Sequence, residues 1–93
     1  MKNPHTKIFG KVIRQYRQKK KLTQEELALE SGLDRTYISL LELGSNSPSL
    51  DTMLALCNAL NLSLSQLVIR MEDELDRNKP CIAYPLGEVT VNI

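Results

Sequence analysis

Residues 23–44 read TQEELALESGLDRTYISLLELG, and this stretch decides the fold. It divides into two short helices joined by a tight turn. Thr23 offers a capping hydroxyl and Glu26 stands three residues on, the spacing of a capping box. Leu27 and Ala28, with Leu22 just ahead, are the apolar positions of the first helix. Ser31-Gly32-Leu33 breaks it, and Gly32 can enter the left-handed region that a sharp turn needs. Asp34 suits the N-cap of the second helix, and Gly44 suits the position just past its end. At about 100° per residue, Tyr37, Ile38 and Leu41 share one arc of that helix. Arg35, Thr36, Ser39, Leu40 and Leu43 share the opposite arc. One arc can bury while the other faces outward. Arg, Thr and Ser near a helix N-terminus suit hydrogen bonds to base edges and phosphates in a DNA major groove. A solvated face on an ordinary helical hairpin has the same wheel, and the wheel alone leaves both readings open.

Outward from this core, residues 7–20 predict a helix whose buried stripe is Ile8, Phe9, Val12, Ile13 and Tyr16. Residues 1–6, with Pro4 and His5, read as a flexible N-terminal arm. Residues 44–48, GSNSP, form a polar loop that Pro48 closes. Ser49 then caps a nearly apolar fourth helix carrying Leu50, Met53, Leu54, Leu56, Cys57 and Leu60. Ser63 and Gln66 make a second capping box, and a fifth helix runs from 64 to about 76. Its stripe is Leu64, Leu67, Val68, Met71 and Leu75, with Ile69 beside it. This apolar surface exceeds what one small core needs, and self-association through Val68 and Ile69 would bury it. Beyond residue 77, residues 81–84 are strand-like and residues 88–93 alternate apolar and polar. A lone hairpin is marginal in water, so Val89 and Val91 are expected to pair or pack within a dimer. The expected architecture is all-α, five helices with a short C-terminal strand or hairpin. It divides into an arm at 1–6, a domain at 7–76 and an extension at 77–93.

The formal net charge of +1 conceals an asymmetry. Residues 1–44 carry nine Lys/Arg against five Asp/Glu, whereas residues 45–93 carry three against six. Arg14, Arg17 and the Lys19–Lys20–Lys21 run cluster toward the end of the first helix, and such a field turns one side of a molecule toward a polyanion. Three Tyr, one Phe and no Trp argue against modules that stack bases on aromatic platforms. Cys57 and Cys81 lack metal-ligand spacing, and Cys57 sits among leucines as a small buried hydrophobe would. The single histidine, His5, has no partner nearby in sequence. There are no paired carboxylates in a catalytic frame and no phosphate-cradling glycine loop, so no enzyme, cofactor or metal is expected. No apolar run spans a bilayer, no signal peptide opens the chain, and a cytoplasmic protein without a membrane partner is expected.

The stretch resembles the helix-turn-helix of the lambda-repressor and Cro-like (XRE-type) DNA-binding family. The matching pieces are Leu22-Thr23-Gln24-Glu25-Glu26-Leu27-Ala28, Ser31-Gly32-Leu33, Tyr37-Ile38-Ser39, Glu42 followed after one residue by Gly44, and Pro48-Ser49-Leu50. The likeness runs from about residue 8 to 68. It implies a lambda-repressor-like domain that binds double-stranded DNA. It also implies base contacts from Arg35, Thr36 and Ser39 and phosphate contacts from Gln24 and Tyr37, although the wheel turns Tyr37 toward the core. Leu40 either touches a thymine methyl or packs against a neighbour. Leu43 stands where the family often has a basic or amide residue, which leaves Ser45 and Asn46, with Arg14 of the basic helix, to meet the backbone. Arg17 and Glu42 match a family ion pair. At Lys21 the family usually has glycine.

Two functions fit these observations. One is a transcriptional regulator whose homodimer reads an inverted repeat. Its half-sites would be about 34–36 Å apart, a spacing taken over with the resemblance. The alternative is an antitoxin-type protein that binds DNA through the same domain and a partner protein through its C-terminal segment.

Overall fold

The structure, a computed structural model, describes residues 4–77. Five helices follow one another: α1 Pro4–Lys19, α2 Gln24–Ser31, α3 Arg35–Leu43, α4 Leu50–Leu60 and α5 Leu64–Arg77. The described residues contain no strand. The strands expected at 81–84 and 88–93, with Cys81, Val89 and Val91, lie outside them.

Each boundary has a local chemical cause. Thr23 accepts from the Glu26 amide at 3.0 Å while the Glu26 carboxylate accepts from the Thr23 amide at 2.8 Å, closing the first capping box. Ser63 and Gln66 repeat the arrangement ahead of α5. Gly32 and Gly44 end α2 and α3 with φ of 75° and 79°. Beyond them the amides of Leu33 and Ser45 bond back to the carbonyls of Ala28 and Leu40, a Schellman closure. Asn61, one of the few residue types that tolerate this region, ends α4 with φ 62°.

One boundary departs from expectation. α1 begins at Pro4, three residues before the predicted start. Proline lacks only an amide that the first helical position would leave unpaired, and its fixed φ suits that position. Thr6 is buried and Lys7 packs over Gly44, so the first turn is held by tertiary contact.

The core is one cluster. Ile8, Phe9, Val12 and Ile13 of α1 meet Leu27 of α2, Ile38 and Leu41 of α3, Leu56 and Leu60 of α4, and Leu67 of α5. Burying each such side chain contributes about 1.5–3 kcal/mol. α1 lies against α3 and α5, and α2 lies against α3 and α4. The nearly apolar α4 is not wholly covered, and Leu50 and Leu54 are exposed. Val68 on the α5 stripe, expected to be buried by self-association, is exposed in the single chain. A helix apolar nearly all round has more surface than three neighbours cover. Conversely, Glu74 of α5 is buried, where Lys11 at 3.0 Å and Arg70 at 3.1 Å meet its two carboxylate oxygens.

Cys57 is buried as expected, and that burial pushes its thiol above the ordinary range. The folded state therefore holds this proton more tightly than the unfolded chain. Its contribution is intact below the ordinary thiol range and is lost as pH rises through the raised value. Cys57 should resist a thiol-labelling reagent in the native protein and react fully once denatured. Labelling at the same rate in both states would show that the site opens freely.

Candidate nucleic-acid interface

α3 is held by its own ends and by two neighbours. At its start, Asp34 takes the amide of Thr36 on a carboxylate oxygen at 3.0 Å, fixing the angle at which Arg35 and Thr36 leave the turn. Both of those side chains are exposed, and Ser39 and Leu40 are half-buried one turn further on. Ile38 and Leu41 anchor the opposite face in the core.

At its other end α3 is tied to α1 and α2 through Glu42. Arg17 of α1 donates to Glu42 from Nε at 2.6 Å and from Nη2 at 3.0 Å, a two-pronged geometry that lysine could not reproduce. Its Nη1 donates to the Leu22 carbonyl at 2.8 Å. The side chains keep 12 % and 4 % exposure, so this pair is shielded rather than superficial. The hydrogen bond to Glu42 holds the Arg17 guanidinium above its ordinary value, outweighing burial, which acts the other way. Gln24, the first residue of α2, adds a third donor to Glu42 at 3.0 Å. One carboxylate thus joins three helices at the edge of the outward face. Gln24 spends one side-chain N–H on Glu42 and keeps a second, beside its backbone amide, for an external acceptor.

Tyr37 occupies a middle position. Its ring packs against the core, and its hydroxyl lies 3.3 Å from that of buried Thr52. Thr52 in turn accepts from Ser49 at 3.0 Å. These hydroxyls link α3 to the start of α4. The sequence carried no sign of this chain, because Tyr37 and Thr52 lie fifteen residues apart. Arg14 is exposed on α1, Ser45 is exposed, and Asn46 is half-buried in the loop after α3. Leu43 is 68 % exposed on the outward arc, where it offers no hydrogen bond to a phosphate. Val68 and Ile69 are on α5, 42 % and 58 % exposed. Among the described residues no group of three or more His, Cys, Asp or Glu could hold a metal ion, and no single helix is long and apolar enough to cross a membrane.

Sequence comparison places this geometry in a class. The model of the family described as Helix-turn-helix matches residues 13–67. The chain belongs to the XRE-type helix-turn-helix family and is a DNA-binding transcriptional regulator. Among its relatives, Control protein C.SmaI of Serratia marcescens is 41% identical over 63 residues, covering 68% of this chain and 75% of that protein. The restriction-modification controller protein C.AhdI from Aeromonas hydrophila has a crystal structure 40% identical, with a TM-score of 0.65 over 67% of this chain and 94% of that one. The wild-type controller protein C.Esp1396I is 29% identical, with a TM-score of 0.78 over 82% of this chain and 99% of its own.

Proposed function

We propose that this chain is the controller of a restriction-modification system, binding an inverted-repeat operator as a homodimer with α3 in the major groove. The recurrence of controllers among the relatives supports this reading: Control protein C.SmaI and Control protein C.BamHI are 41% and 40% identical, and the solved controllers C.AhdI and C.Esp1396I are 40% and 29% identical.

The observation that carries the DNA-reading mechanism is the exposed pair Arg35 and Thr36, fixed at the start of α3 by the Asp34 cap. Arg35 takes the role of a two-pronged donor to guanine, and Thr36 and Ser39 bond neighbouring base edges. Leu40, half-buried, meets a thymine methyl. Gln24, Ser45, Asn46, Arg14 and the Tyr37 hydroxyl serve the backbone and set the register. Val68 and Ile69 are assigned to the dimer contact, where burying them removes apolar surface from water. The reading assigns binding and no catalysis, and it requires no cofactor.

The test begins by selecting bound fragments from the host genome, which should yield an inverted repeat near restriction-modification genes. Arg35→Ala should then lower affinity for the selected site by about 1–3 kcal/mol and relax selectivity at one base pair in each half-site. An equal loss on random DNA would remove Arg35 from the base contacts. Selected fragments without two-fold symmetry would remove the homodimer.

A further inference from the structure

The turn between α1 and α2 contains a residue that general backbone preferences disfavour. Lys21 has φ 59°, in the left-handed region where a residue bearing a Cβ is uncommon. It is exposed, and no acidic side chain among the described residues forms an ion pair with it. The turn around it is pinned on both sides. The Lys21 amide donates to the Gln18 carbonyl at 2.9 Å, and the Leu22 amide donates to that of Arg17 at 3.0 Å. The Arg17 guanidinium closes on the Leu22 carbonyl at 2.8 Å. Three residues beyond Lys21, Gln24 is bonded to Glu42 of α3. The turn is therefore coupled to the helix that carries Arg35 by the same carboxylate that fixes that helix.

We infer that Lys21 is a DNA-backbone contact, an added cation held at the edge of the reading face by a turn that is already ordered. Glycine would relieve the backbone there but would carry no charge. A cation on a pinned turn has only its own side chain left to order when it meets a phosphate, so more of the attraction is retained as affinity. Because phosphates repeat along every duplex, the contact strengthens binding without choosing sequence. The inference rests on the DNA-binding reading above, and its test separates the two.

Lys21→Gly and Lys21→Arg are compared with the native chain on the genome-selected operator and on a labelled random-sequence duplex, across a salt series. Lys21→Gly should weaken binding to both duplexes by about 5–10-fold per protomer near 0.1 M salt and flatten the log–log salt slope by about 0.9 per protomer. The same variant should melt about 4–8 °C higher, since it removes the left-handed strain. Lys21→Arg should keep the native slope. Opposite movement of affinity and stability is the signature, because a merely structural residue moves both together. An unchanged slope in Lys21→Gly overturns the inference while leaving the DNA-binding reading in place. So does a loss of binding accompanied by a lower melting temperature. A native chain whose affinity does not respond to salt overturns both.

Discussion

Replacing Gly10 with alanine should destabilise the protein by about 2–3 kcal/mol, although alanine is the better helix former by about 1 kcal/mol. Gly10 is where α1 crosses α3. A Cβ built there falls on the carbonyl oxygen of Leu41 and lies 2.8 Å from that of Glu42. Both obstacles are backbone atoms, so no rotamer change can make room and the helices must move apart. Such a shift opens voids among Val12, Ile13, Ile38 and Leu41, which are fully buried. For a domain of this size the loss corresponds to a melting temperature lower by roughly 10–20 °C. Gln18→Ala, at an exposed position of the same helix, is the control and should be neutral or slightly stabilising. Separation of α1 from α3 also loosens the Arg17–Glu42 contact, so operator affinity should fall even where the variant remains folded. A Gly10→Ala protein that melts with the native one would show that the two helices have slack at this crossing.

That crossing illustrates what a sequence conceals. Thr23, Glu26, Gly32, Asp34 and Gly44 could be assigned at once because a cap acts on residues two to four positions away. The outward aim of Arg35 and Thr36 followed from the cap and from a helical period that places Ile38 and Leu41 opposite. Gly10 gave only a weak sign, an isolated glycine in an otherwise helical pattern, and its reason lies more than thirty residues away on α3. Glu74 is similar. Its place on α5 reads as solvated until Lys11, sixty-three residues earlier, is brought beside it. The exposure of Leu50 and Leu54 is hidden from the sequence for the opposite reason. Apolar content predicts burial, but which face of an all-apolar helix is covered depends on where its neighbours lie. Resemblance named Arg17 and Glu42 as partners; only the structure shows that Gln24 joins them. That third bond fixes the orientation of the Gln24 amide within the protein itself.

The shared carboxylate therefore makes the second large prediction. Glu42→Ala removes two acceptors from Arg17 and the acceptor of Gln24, leaving a shielded guanidinium with the Leu22 carbonyl as its remaining protein partner. Breaking one side of a fully buried pair costs about 3–5 kcal/mol, and the residual 12 % exposure of Arg17 moderates this to about 2–4 kcal/mol. Stability alone does not distinguish a brace from a simple staple. The double variant Arg17→Met/Glu42→Leu does, because well-packed apolar side chains often replace a shielded ion pair at little cost. It should melt within a few degrees of the native protein. Its operator affinity should nevertheless stay well below native, since Gln24 has lost the group that orients it and the end of α3 has lost its tie to the turn carrying Lys21. Native affinity in that refolded double variant would reduce the Arg17–Glu42–Gln24 node to a stabilising contact, and the orientation of the reading helix would then rest on the Asp34 cap and the Gly10 crossing.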